Sequence, residues 1–318
     1  MKATQHQKAV RFHETGDADV LRYEDVEIPQ PGTGQVRVRV AASAFNPADG
    51  GLRGGFLPIP LTLPHVPGYD ASGTIDAVGD GVTTLVEGDQ VYGFLPMTED
   101  GAAAQYVVAP ADALVAAPTG IPLVDAAGIP SVALTAWQSL FEAARLTAGQ
   151  RVLVNGAGGS VGGYAVQLAH RAGAHVIATA SPRSQDAVRA SGADEIIDHT
   201  SSSVLDALTE PVDVLLNLAP IATEGFVELA TRVRDGGVVV STTPKVPTPD
   251  DPGRGVRGET IYVHPDAAVL AELASLVDAG ELRVEISQRV PLSELPDVHR
   301  RSDEGTLHGK VVIVPPAE

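Results

Sequence analysis

Residues 151–180, RVLVNGAGGSVGGYAVQLAHRAGAHVIATA, restrict the fold of this chain more than any other stretch. A short apolar run, Val152-Leu153-Val154, leads into the glycine-rich turn Gly156-Ala157-Gly158-Gly159-Ser160-Val161-Gly162. The helical pattern that follows puts Val161, Ala165, Leu168, Ala169 and Ala172 on one face, with Gly173 placed to end it. A second apolar run, Val176-Ile177-Ala178, completes a strand–helix–strand unit. Glycines keep such a turn tight and let backbone N–H groups approach a pyrophosphate at the positive end of the helix. The GxGxxG spacing fails because Val161 stands where its third glycine would be, but Gly156, Gly159 and Gly162 recur every third residue across the same turn. In this strand–turn–helix context the turn reads as a dinucleotide site, with Gly156, Gly158, Gly159, Ser160, Val161 and Gly162 facing the phosphates.

The end of the second strand bears on which dinucleotide. A chain that holds the ribose hydroxyls of NAD carries Asp or Glu about 20 residues past the first glycine. Here the segment is Thr179-Ala180-Ser181-Pro182-Arg183, with no acid before Asp186. A carboxylate would repel a 2′-phosphate, whereas Ser181 donates a hydrogen bond and Arg183 supplies charge. NADPH is expected rather than NADH, the alternative being that Arg183 is an ordinary solvated loop arginine.

A chain of 318 residues exceeds a single core, so two domains are expected. A formal charge of −18 argues against nucleic acid as a partner. The absence of cysteine excludes disulfides, thiolate zinc sites and cysteine nucleophiles. The opening MKATQHQKAVRF lacks the apolar core of a signal peptide, and no apolar run reaches membrane-spanning length; a soluble cytoplasmic protein is expected. Residues 1–122 read as short strands, among them 35–40, 72–78 and 89–93, broken by Gly and Pro as in a small barrel. Residues 123–265 alternate strand and helix, with strands expected at 195–197, 212–216, 237–240 and 260–263, which argues for a doubly wound parallel sheet. Residues 242–255, rich in Pro and Gly, are expected to be the least regular piece. A helix over 266–279 is stopped by Gly280, and strand-like runs follow at 286–290 and 311–314 with no helix between them suited to the parallel sheet. Residues 266–318 are therefore expected to return to the first domain.

Five further segments accompany the glycine turn: Phe45-Asn46-Pro47-Ala48-Asp49, Val66-Pro67-Gly68-Tyr69-Asp70-Ala71-Ser72-Gly73, Leu134-Thr135-Ala136-Trp137, Gly192-Ala193-Asp194 and Gly309-Lys310-Val311-Val312. With these motifs in this order, the chain resembles, over nearly its full length, the zinc-independent quinone oxidoreductase (zeta-crystallin-like) branch of the medium-chain dehydrogenase/reductase superfamily. The resemblance implies an α/β protein: a GroES-like β-barrel catalytic domain, a Rossmann doubly wound parallel sheet, NADPH in the cleft between them, and a homodimer.

In zinc-using relatives a Cys stands near the position of Asn46 and a His at that of Tyr69; an amide and a phenol do not replace them as ligands. The relatives' four-cysteine lobe has no counterpart between Met97 and Val107, and the nine histidines form no ligand-spaced cluster. No metal is expected. Hydride then needs an acceptor that is already electrophilic, such as a quinone, an enone or an enoyl thioester. Negative charge collects on the carbonyl oxygen, where a fixed donor lowers the barrier. Asn46 is the first candidate, facing the nicotinamide or the acceptor carbonyl, and Tyr69 the second. The competing readings are that Asn46 holds a turn, that Tyr69 plugs the vacant metal pocket and that Asp49 stabilises backbone. Some enoyl reductases of the superfamily use a Tyr soon after the Asn-Pro motif, but residues 50–60, GGLRGGFLPIP, offer Phe56 instead. This apolar loop, with Phe56, Leu57, Ile59, Leu61 and Leu63, either lines an acceptor pocket or covers the core.

By position, Thr135 is expected to open a helix beneath the cofactor, and Leu218 and Ala219 to line its ribose or nicotinamide side. Ser241, Thr242 and Thr243 follow the fifth strand of the parallel sheet, and His199 stands where the family often has a Tyr near the 2′-phosphate. The expected activity is NADPH-dependent hydride transfer to a quinone or other conjugated carbonyl. The alternatives are a dedicated enoyl reductase and an NADPH-binding protein with little turnover. Residues 259–263 read as an open edge strand that would pair across a two-fold axis.

Overall fold

The computed structural model describes residues 5–243 and 245–317. The chain forms two compact units: one holds the chain up to Ser131 and again from Pro265, and the other spans Val132–His264.

In the first unit, β1 (His6–Phe12) and β2 (Leu21–Glu27) pair antiparallel as a separate ribbon. The main sheet is built on β3 (Gln35–Ala44), which is followed by α1 (Pro47–Arg53), β4 (Asp70–Val78), β5 (Gln90–Phe94), β6 (Tyr106–Pro110) and β7 (Leu114–Ala116). The alternation expected of β3 is present: Val36, Val38 and Val40 are buried while Arg39 is exposed. Arg37 forks onto the Asp76 carboxylate with both N···O distances at 2.9 Å. Gly73 of β4 lies opposite Val40, where a Cβ would come within 2.3 Å of the Arg39 carbonyl oxygen, so only glycine fits beside this register break. Next comes α2 (Leu123–Ala126), which packs on β3 and β4. Arg289 forks onto Asp125 of α2 at 2.8 and 2.7 Å. The first unit therefore extends to Ser131 and not only to residue 122.

α3 (Pro130–Trp137) continues into a π-helical turn, Gln138–Ala143. The second unit then alternates β8 (Arg151–Asn155), α4 (Ser160–Arg171), β9 (His175–Ala180), α5 (Gln185–Ala190), β10 (Glu195–Asp198), α6 (Val204–Ala207), β11 (Val212–Asn217), α7 (Thr223–Ala230), β12 (Val233–Ser241) and β13 (Arg257–Thr260). All its pairings are parallel, in the order β10-β9-β8-β11-β12-β13. The winding reverses between β8 and β11, which is where open sheets of this kind bind their ligands. Leu153, Ile177, Leu215, Phe226 and Val239 form the fully buried centre of its core.

The last strand differs from expectation. It occupies Arg257–Thr260, because β12 ends at Ser241, which pairs with Thr260. Beyond it the Ile261 N–H still reaches the Ser241 carbonyl at 2.8 Å, but β12 has no further residues to pair with the apolar run. Residues 245–256 hold no helix or strand, though Asp251 and Val256 bridge across a tight turn; Pro244 lies outside the described residues.

The chain then returns to the first unit. α8 (Ala267–Asp278) is capped by Asp266, whose carboxylate accepts the Val269 N–H at 3.0 Å, and Gly280 follows it at φ +72°. β14 (Gln288–Pro291) and β15 (Val311–Val314) pair in parallel, and β15 pairs antiparallel with β3. A helix does join them, but it packs within the first unit and not on the six-stranded parallel sheet: α9 (Leu295–Asp303) buries only Leu295, Val298 and His299. Apart from Pro296, the rest of LPDVHRRSD is polar, which leaves too narrow an apolar stripe to stand out in sequence. Leu292, Leu295, Val298, Val311 and Ile313 share one core with Val10 and Phe12, so the returning segment completes the first unit. Among the described residues no helix is long and apolar enough to cross a membrane.

Candidate functional site

The glycine turn of the second unit is shaped by three different close approaches. Gly156 has φ +93°, and a Cβ there would lie 3.0 Å from the Ala219 nitrogen. At Gly158 it would lie 2.4 Å from Ser184 Oγ, and at Gly162 2.5 Å from Ala157 Cα. Gly159 is exposed, and the nearest atom to a Cβ there is the Gly156 carbonyl oxygen at 3.5 Å. α4 starts after Gly159 with no side-chain cap, and its first backbone bond runs from the Gly163 N–H to the Gly159 carbonyl at 3.1 Å. The N–H groups of Ser160, Val161 and Gly162 therefore lie in the unsatisfied first turn, at the positive end of the helix dipole. These residues fit the diphosphate of a dinucleotide.

Ser181 is half-buried and Arg183 exposed at the end of β9. The Ser181 N–H donates to Ser184 Oγ at 3.2 Å, which places Ser184, a residue the sequence reading passed over, between Ser181 and Gly158. His199 is exposed and its N–H reaches the Ala180 carbonyl at 3.2 Å. The neighbouring Asp198 carboxylate is taken up by the Thr200 hydroxyl and N–H at 2.6 and 2.9 Å, which hold it below the usual carboxylate range. Leu218 donates its N–H to the Asn155 carbonyl at 2.8 Å, and Thr242 to that of Asn217 at 3.1 Å. The Ser241 and Thr243 hydroxyls lie 2.9 Å apart. One expectation is corrected: Thr135 does not open a helix. α3 begins at Pro130, whose fixed φ suits a first turn, and Thr135 sits within it.

In the first unit, Asn46 belongs to a buried polar cluster. Lys310 Nζ donates to Asn46 Oδ1 at 2.6 Å and to Asp70 Oδ2 at 3.0 Å, and Asn46 Nδ2 donates to Asp70 Oδ2 at 2.9 Å. Asp70 also accepts the Ser131 N–H and hydroxyl at 2.8 and 2.7 Å. The Lys310 and Asp70 side chains are only 4% and 0% exposed, so every charge here is paired out of water. Asp49 is buried, and its carboxylate accepts the N–H groups of Asn46 at 2.7 Å and Gly68 at 3.0 Å. Burial pushes its carboxyl up to about 7, against the pull of those two donors. The Asp49 carboxylate thus holds the Asn46 backbone at the start of α1, while the Asn46 side chain is committed to the cluster. One Nδ2 hydrogen goes to Asp70, and the other has no partner among the described residues.

Tyr69 lies elsewhere. Its hydroxyl is 2.6 Å from His65 Nε2, and both residues are buried. Burial raises the phenol far above its ordinary value and lowers the imidazole, so a neutral His65 accepts from a neutral Tyr69. The apolar loop divides: Phe56 is 83% exposed, while Leu61 packs on the core. Sequence alone does not single out Asp70, Ser131 and Lys310 as site residues. Asp70 and Lys310 stand in quoted motifs, but nothing in the sequence marks Ser131.

Two family profiles match: an alcohol dehydrogenase GroES-like domain over residues 32–119 and a zinc-binding dehydrogenase over residues 191–313. The chain is 33% identical to the chloroplastic NADPH-dependent alkenal/one oxidoreductase of Arabidopsis thaliana, across 97% of this chain and 79% of that protein. It is 32% identical to 2-methylene-furan-3-one reductase of Solanum lycopersicum over the same shares. Its structure is similar to that of the quinone oxidoreductase from Coxiella burnetii, with a TM-score of 0.88 at 29% identity over 98% and 99% of the two chains. The donor set does not fit the zinc named by one profile. Lys310 already places an ammonium against Asp70 and Asn46, and among the described residues no group of three or more His, Asp or Glu is arranged to hold a metal ion.

Proposed function

The chain belongs to the quinone oxidoreductase branch of the medium-chain dehydrogenase/reductase superfamily, and from that premise we propose that it reduces quinones or other conjugated carbonyls with NADPH and without a metal ion. The Asn46–Asp70–Lys310 cluster carries this reading, because it offers an oriented hydrogen-bond donor where a metal-using relative would have ligands. When bound, the dinucleotide supplies a hydride. The remaining Nδ2 hydrogen of Asn46 donates to the oxygen on which negative charge develops. Lys310 on Oδ1 polarises the same amide and strengthens that donor. A conjugated acceptor needs no Lewis acid, and the relatives named for alkenal/one and methylene-furanone reduction support that acceptor class.

In the second unit, the turn from Gly156 to Gly162 holds the diphosphate. Ser181, Arg183 and His199 hold the 2′-phosphate. Leu218, Ala219, Ser241, Thr242 and Thr243 line the rest of the strand ends. The test is NADPH oxidation with quinones and enones against saturated ketones and aldehydes, before and after dialysis against a chelator. Turnover is expected only with conjugated acceptors, undiminished by the chelator, and with NADPH preferred over NADH. Arg183→Ala should lose roughly 1.5–3 kcal/mol of NADPH affinity, the worth of one charged contact. Reduction of saturated carbonyls, or loss of activity with the chelator, would refute the proposal.

A homodimer belongs to the same reading. β13 is the edge of the six-stranded sheet, and Tyr262 just beyond it is 72% exposed, so pairing across a two-fold axis would cover both. Light scattering at micromolar concentration should give twice the chain mass of 32.8 kDa; a stable monomer rejects the dimer.

A further inference from the structure

We infer that a side-chain relay, Thr179–Asn155–Asn217–Thr243, couples the two mononucleotide halves of the dinucleotide site, so that these four act as positioning residues. The inference rests on the proposal that the second unit binds NADPH.

The relay crosses the ends of the parallel strands. The Gly156 N–H donates to Thr179 Oγ1 at 2.8 Å, and the Thr179 hydroxyl donates to Asn155 Oδ1 at 3.1 Å. Asn155 Nδ2 donates to Asn217 Oδ1 at 2.7 Å. Asn217 Nδ2 then donates one hydrogen to the Ala219 carbonyl at 3.1 Å and shares the other between Thr243 Oγ1 at 3.2 Å and, more weakly, Ser241 Oγ at 3.4 Å. Thr179 and Asn217 are 2% and 0% exposed, so water does not substitute for a lost partner there. The polarity of the whole relay is fixed at its ends: the Gly156 N–H only donates and the Ala219 carbonyl only accepts. Flipping either amide would set oxygen against oxygen.

Its position gives this order a use. Asn155 ends β8 and Asn217 ends β11, directly paired in register at the point where the winding reverses. In a sheet of this order, one mononucleotide half rests on β8 to β10 and the other on β11 to β13. The Asn155–Asn217 bond joins them. One end of the relay holds the diphosphate turn through Gly156. The other holds the backbone after β11 through Ala219 and the loop after β12 through Thr243.

The test is a double-variant cycle with Thr179→Val and Thr243→Val, which remove a hydroxyl at little change in volume. Three strand spacings separate β9 from β12, about 14 Å, and sites that far apart ordinarily act independently to within about twofold. Titration with NADPH, read by cofactor fluorescence, should show each single variant weakened about fivefold, as for one lost hydrogen bond. The double variant should be no weaker than the worse single, because either cut opens the same relay. Serine at either position keeps the hydroxyl and should restore affinity. Thr243→Val should also weaken binding of 2′,5′-ADP, which reaches only the adenosine half; Thr243 lies in a loop, so this variant keeps its fold. Single effects that multiply, or unchanged 2′,5′-ADP binding in Thr243→Val, would overturn the relay. Failure of the unaltered protein to bind NADPH would instead overturn the reading beneath it.

Discussion

Replacing Lys310 by Met is expected to remove about 3–5 kcal/mol from the free energy of unfolding, the cost of stripping one partner from a buried ion pair. Lys310 and Asp70 are both almost wholly out of water, and their 3.0 Å contact joins the returning segment to the start of β4. Without the ammonium, the Asp70 carboxylate keeps its bonds from Ser131 and Asn46 but loses its countercharge. Removing both charges while keeping an acceptor, as Lys310→Met with Asp70→Asn, should recover part of the loss, since the remaining Oδ1 still accepts from Ser131 and no buried charge is left unpaired. Urea titration at constant m-value would report both effects. A Lys310→Met protein as stable as the unaltered chain would show that this pair holds nothing together.

Asn46→Ala is expected to lower turnover about 10²–10³-fold, the usual effect of deleting one preorganised donor to a developing oxyanion. Its NADPH affinity should change little, because the diphosphate turn is built wholly from the second unit. Stability should also fall, since Lys310 and Asp70 each lose a partner, so rate must be measured per folded molecule. Tyr69→Phe is the contrast: its hydroxyl is committed to His65, so the substitution should cost stability and leave turnover within about twofold. Normal turnover in folded Asn46→Ala would leave Asn46 only its place at the start of α1, and a rate collapse in Tyr69→Phe would exchange the two roles. Initial rates at saturating NADPH, paired with thermal melts of each variant, separate these outcomes.

What could be read from the chain alone follows from how local each signal is. β8, α4 and β9 declare themselves because the apolar runs and the glycines that shape the turn are neighbours in sequence. β13 was misplaced because Ile261-Tyr262-Val263 looks more like a strand than Arg257-Gly258-Glu259-Thr260, yet the end of β12 decides which residues pair. α9 was missed because three buried residues suffice to dock a helix whose other side faces water. Asn46 was visible as a polar residue in a motif, but its partners Asp70, Ser131 and Lys310 are brought to it only by the folded sheet and the returning segment. Asn155 and Asn217 escape for the same reason: each merely ends an apolar strand, and only the register sets one against the other.

The central claim is that hydride passes from NADPH to the far carbon of a conjugated acceptor with no metal involved. Chelator-treated protein should be given NADPH deuterated at C4 together with an enone, and the product's label located by NMR. The expected product is a saturated ketone with one deuterium on the carbon β to the carbonyl, formed at the same rate with and without the chelator. Deuterium on the carbonyl carbon of an alcohol, or a rate that vanishes with the chelator and returns with zinc, would contradict it.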